Sequence, residues 1–176
     1  MNTISEEQVF RPELASRRGE LIAWSSAVLV NGTWIVLLLL GQSLSFWLLI
    51  LGIPLLLISF GISLANWMDR HTLLKLNPQG ITYSNGLRNV KLGWLEIQEV
   101  RVLPARWGRK VQVFGEQAYF GFQTLGEVEA NGKLLGRTGF IEGEQVLEKI
   151  LEEAALRETK QVNIGNHQEG YYYSRE

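Results

Sequence analysis

Cysteine is absent from this chain of 176 residues, which excludes disulfides and thiolate metal sites. Histidine is scarce. His71 and His167 stand apart from any carboxylate or nucleophile pattern, so both read as solvated groups rather than metal ligands or general bases. Net charge is low as well: a formal −1 gives no electrostatic case for nucleic acid as a partner. Gly121 and Gly126 have the glycine spacing of a phosphate-binding loop, but Glu127 and Val128 follow where lysine and a hydroxyl residue are needed. Glu127 and Glu129 alternate around Val128, as the wet face of a strand does. The expectation is a protein that is not an enzyme and uses no metal or cofactor.

The absence with the largest consequence is local. No charged side chain occurs between residues 21 and 68. What stands there is two apolar runs, 21–40 and 44–67, split by Gly41-Gln42-Ser43. About twenty helical residues rising about 1.5 Å each match the roughly 30 Å of a bilayer's hydrocarbon core. Core helices of soluble proteins are shorter, and a long leader that carries glutamates, with no small-x-small cleavage site before the second apolar run, is unlike a signal peptide. Lipid requires each span to satisfy its own backbone, so both runs should be helices joined as an antiparallel hairpin.

Arg11, Arg17 and Arg18 precede the first span, Arg70 and Lys75 follow the second, and the connection is uncharged. The positive-inside rule then puts both termini in the cytoplasm. Trp24 and Trp67 near the inner ends, and Trp47 near the turn, fit interfacial anchors. Asn31 is the one strongly polar side chain of the first span and reads as an interhelical hydrogen bond. Ala23 and Ala27 share its face; Ser59 with Ser63, and Gly61 with Ala65, form similar small-residue pairs. Such faces allow close helix contact within the hairpin or between copies of the chain. Pro54 is expected to kink the second helix. Two helices with a single asparagine make an anchor, not a pore.

After Arg70 the period becomes two. Leu74 and Leu76, Ile81 and Tyr83, Val90 and Leu92, Val100 and Val102, Val111 and Val113, and Phe120 and Phe122 each flank an outward residue. Turn chemistry punctuates them: Asn77-Pro78-Gln79-Gly80 suits a type I turn, while Asn85-Gly86 and Asn131-Gly132 are hairpin signals. About six or seven short strands at this spacing suggest a small antiparallel barrel, or a sandwich, with its edges largely closed. Trp94 falls in phase with Val90 and Leu92 and should enter the core; Glu96 should cap a turn. Across 144–157 the period becomes 3.6, with Val146, Leu147, Ile150, Leu151 and Ala154 as one apolar stripe that can bury itself only against the sheet. Residues 159–176 are polar and aperiodic and read as a disordered tail, with Tyr171-Tyr172-Tyr173 as solvated residues in it.

This order of elements resembles a pleckstrin-homology-like domain, in its bacterial membrane-anchored form. Residues 74–83 resemble that family's opening hairpin, and Trp94-Leu95-Glu96-Ile97-Gln98-Glu99-Val100 resembles its W-x-E-I-x-x-V junction. The resemblance implies seven strands in a bent barrel capped by a C-terminal helix, over about residues 72–157, behind two N-terminal spans. A second family, the photosystem I assembly factor, shares the layout of two spans and a small domain, but no motif. The fold expected is thus a membrane α-hairpin plus an α+β domain. A cytoplasmic N-terminal segment (1–20) leads into the hairpin (21–68), the domain (70–158) and the tail (159–176). The function expected is an adaptor that binds membrane or membrane-associated proteins. An alternative is a sensor of anionic lipid through Arg106, Trp107, Arg109 and Lys110, where each cation near the surface contributes about 1 kcal/mol. Phosphoinositide-binding members of the family carry cations in the first hairpin loop, whereas residues 77–80 carry none. A more distant alternative is an assembly factor for a membrane complex.

Overall fold

A computed structural model describes residues 6–14, 16–41, 46–130, 132–165 and 168–175. Gln42 and Ser43 of the expected turn, Asn131 and His167 lie outside these. The chain divides into two compact units, residues 16–68 and a discontinuous unit formed by the residues before them together with 69–176.

The first unit is the hairpin. Helices α1 (Arg18–Leu39) and α2 (Phe46–His71) are 22 and 26 residues long, and both are long and apolar enough to cross a membrane. Pro54 lies inside α2. Among the described residues of the two helices only Ala27, Gly52 and Ser59 are buried, while Leu29, Leu39, Phe46 and Trp47 are mostly exposed. In water each such large apolar side chain would forgo about 1.5–3 kcal/mol of burial. Contacts running from Glu20–Asn66 to Asn31–Gly52 make the pair antiparallel.

Strands and one helix make up the second unit. Before the hairpin come β1 (Gln8–Phe10) and β2 (Pro12–Glu13). After it come β3 (Thr72–Asn77), β4 (Gly80–Asn85), β5 (Asn89–Gly93), a 3-10 turn (Trp94–Glu96), β6 (Ile97–Pro104), β7 (Arg109–Gly115), β8 (Tyr119–Gln123), β9 (Gly126–Ala130) and β10 (Lys133–Phe140). Helix α3 (Gly143–Glu153) and the hairpin β11 (Arg157–Gly165) and β12 (Gln168–Ser174) complete it. Three antiparallel sheets result, in the orders β1-β3-β4-β5, β2-β10-β9 and β11-β12-β6-β7-β8.

The inward residues expected from the period-two pattern are buried, Tyr83 being half-buried, and α3 lays Val146, Leu147, Ile150 and Ala154 on the same core. Trp94 is buried, with its indole N–H donating to the Asn77 carbonyl at 3.1 Å. The Glu96 carboxylate accepts the Gly93 N–H at 2.8 Å and so caps the 3-10 turn. Asn77 Oδ1 accepts the N–H groups of Gln79 and Gly80, both at 2.9 Å. The glycine at 80 is required by packing: a Cβ there would lie 2.1 Å from the Leu92 carbonyl oxygen.

Two expectations are corrected. First, the strands do not close into a barrel. β10 spends one edge on β9 and, at Gly139 and Phe140, its other edge on β2, so no ladder joins it to β8 among the described residues, and their backbones are bridged only just past the end of β8, at Thr124–Phe140. Second, the segment read as a disordered tail carries two strands, β11 (Arg157–Gly165) and β12 (Gln168–Ser174). Tyr171, Tyr172 and Tyr173 pair with Val102, Arg101 and Val100 of β6. Tyr171 and Tyr173 pack on the core, and the Arg101 guanidinium, ion-paired to Glu99, lies 5.6 Å from the Tyr172 ring. The leader likewise belongs to the domain, since Phe10 packs on the core and Lys75 pairs with Glu7 at 2.6 Å.

Candidate functional site

The basic-aromatic segment is a tight turn between β6 and β7, closed by Ala105 N–H to the Gly108 carbonyl, with Gly108 at φ 73°. Its cations are largely engaged. Arg109 forms a two-pronged pair with Glu144 in the first turn of α3, with Nε to Oε1 at 3.0 Å. The Arg106 guanidinium lies 4.7 Å from the Trp107 ring centroid. Lys110 is exposed on β7 with no ion pair among the described residues. The turn is also pinned from below: the Trp107 carbonyl accepts the Gln123 side-chain amide, and a Cβ on Gly126 would lie 2.4 Å from the Trp107 carbonyl carbon. The structure therefore brings Arg106 and Trp107 together but turns Arg109 toward the protein.

The larger feature is a cleft of about 500 Å³ at the place where the barrel fails to close. Edge strand β8 lines it along its whole length, together with Pro12 and Glu13 of β2 and Thr138 to Phe140 of β10. Tyr83, Asp69, Thr72, Lys110 and Gln112 complete the lining. An aromatic ladder backs it: Tyr83 stacks on Phe120 at 5.2 Å, Phe120 on Phe122 at 6.5 Å, and Phe140 meets Phe122 edge-on at 5.7 Å. Burial pushes the Tyr83 phenol above its ordinary pKa, so it stays a neutral donor. Three charged side chains of mixed sign, a row of aromatics and an unpaired strand edge suit recognition of an extended polypeptide. The inward pattern of β8 was readable from Phe120 and Phe122. The open edge was not, because it depends on which partners β10 chooses.

In the hairpin, Asn31 Nδ2 donates to the carbonyl of Gly52 on the facing helix at 3.2 Å and to that of Ala27 at 2.8 Å. Ala27 and Ser59 are buried in this contact face, Ala23 is half-buried, and Gly61 has open space around it. Ser63 does more than pack. Its hydroxyl donates to Glu20 Oε1 and accepts the Trp24 indole N–H, each at 2.8 Å, while Asn66 donates to Glu20 Oε2 at 2.9 Å. Trp24 is thus held by the partner helix; Trp47 and Trp67 are exposed. Sequence reasoning missed Glu20, although its position one residue ahead of the apolar run, opposite the i, i+3 pair Ser63 and Asn66, was a usable signal.

No group of acidic or histidine side chains that could hold a metal occurs among the described residues. No protein-family model, characterised protein or solved structure matches the chain.

Proposed function

We propose that this chain is a membrane-tethered adaptor. In this reading the hairpin anchors a pleckstrin-homology-like domain at the cytoplasmic face of a membrane, and the cleft along β8 receives an extended segment of a membrane-associated protein. The observation that carries it is the unpaired edge of β8 opening onto an aromatic-backed cleft. The order of strands followed by α3, and the W-x-E-I-x-x-V junction built around a buried Trp94, support the pleckstrin-homology-like assignment. The return of both hairpin ends to one folded unit supports an even number of spans with both termini on one side. Tethering would raise the domain's effective concentration toward membrane partners. Sensing of lipid by residues 106–110 is less well supported, because Arg109 is paired to Glu144.

The test is a photo-crosslinking residue at Lys110, in the cleft, and another at Leu95, an exposed site on the 3-10 turn, in full-length protein in its native membranes. A discrete protein adduct from position 110 and none from 95 is the expected result. Adducts from 95 alone, or from neither, would overturn the reading.

A further inference from the structure

The strand register singles out one turn of the domain. β3 begins at Thr72, the residue directly after the last of α2, and Thr72 pairs with Asn85 at the end of β4. The β4–β5 turn therefore lies one strand spacing, about 5 Å, from the point where the chain leaves the anchor helix. The 3-10 turn that follows β5 lies at the opposite end of the same sheet, where Gly80 pairs with Gly93. Five strand residues, or about 17 Å, separate these ends.

The β4–β5 turn is rigid and carries the wrong residue for a purely wet tip. Asn85 Oδ1 accepts the N–H groups of Leu87 and Arg88 at 3.2 and 2.8 Å, the Asn85 N–H closes onto the Arg88 carbonyl, and Gly86 takes φ 81°. This arrangement presents Leu87 with 64% of its surface exposed. Beside it the Arg88 guanidinium lies 4.6 Å from the centroid of the exposed Tyr119 ring. Leu14, just ahead of α1, is a second exposed apolar side chain next to the anchor in sequence. An aliphatic tip, a tyrosine and an arginine are the residue types that occupy the headgroup level of a bilayer: the first enters the acyl boundary, the others stay at the polar interface.

We propose that the β4–β5 turn is a membrane-surface contact, with Leu87 entering the interface of the same bilayer that holds the hairpin and Arg88 and Tyr119 at headgroup level. This rests on the tethered reading. Anionic lipid would add to the apolar insertion through Arg88.

The chain has no native cysteine, so a single Leu87→Cys or Leu95→Cys change can be labelled with an environment-sensitive fluorophore in the full-length protein. The probe membranes are phosphatidylcholine vesicles with and without phosphatidylglycerol. The expected result is a blue shift and severalfold rise in emission for the label at 87 but not at 95, larger with phosphatidylglycerol and reduced toward the zwitterionic value by Arg88→Gln. Protein that floats with the vesicles while the label at 87 stays as water-exposed as that at 95 overturns this proposal alone. Protein that fails to float at all overturns the tethered reading and the proposal with it.

Discussion

Single side chains near the C-terminus hold more of the domain than their position suggests. Arg175 donates to the carbonyls of Leu95 and Ala154, both at 3.0 Å, and to that of Trp94 at 3.1 Å, joining the 3-10 turn to the end of α3. Hydrogen bonds from a charged donor contribute about 1.5–3 kcal/mol, so Arg175→Ala should lower stability by roughly 2 kcal/mol, read as a fall in melting temperature in detergent. Ala155 offers the reverse case. It ends α3 at φ 51°, with Leu156 N–H bonded back to the Leu151 carbonyl, a closure that glycine makes without strain. Ala155→Gly should therefore stabilise by up to about 1 kcal/mol in the same melt. Of these residue roles, Trp94 and Glu96 could be read from phase and position in the sequence. Arg175 could not, because its partners are backbone carbonyls that only the fold brings together.

At the scale of elements, the strands with one buried face were legible because burial on one side imposes alternation, and α3 because its stripe has one sheet to cover. β11 and β12 carried a weaker signal. The polar edge strand β11 has little to bury, and the three tyrosines of β12 hide their alternation, two facing the core and one facing Arg101. In the hairpin the predicted role of Asn31 can be tested directly. Asn31→Leu removes the contact to Gly52 and should weaken helix association by about 0.6–2 kcal/mol. Gly52→Leu should do at least as much, since a Cβ there would lie 2.5 Å from Asn31 Oδ1. Denaturant-dependent loss of energy transfer between labelled helices, in micelles, measures both. Wild-type resistance in either variant would remove this pair from the account of hairpin packing.

For the whole molecule, the boundaries drawn from sequence are the part that changes most. A fragment of residues 70–158 strips β3 of its partner β1 and β6 of its partner β12. It should be poorly folded and prone to associate through the bared edges. A chain in which residues 16–68 are replaced by a flexible glycine–serine linker keeps every strand and should give a soluble, cooperatively melting domain. Circular dichroism and size-exclusion chromatography of the two would separate these outcomes. The insertion of the hairpin between β2 and β3 also sets a timetable for biogenesis. Roughly sixty residues separate β1 from β3, so at about 5–20 residues per second the leader leaves the ribosome some 3–12 s before its strand partner exists. The leader waits unpaired until both apolar helices have been synthesised, so the domain can complete its sheet only once the whole hairpin has been made.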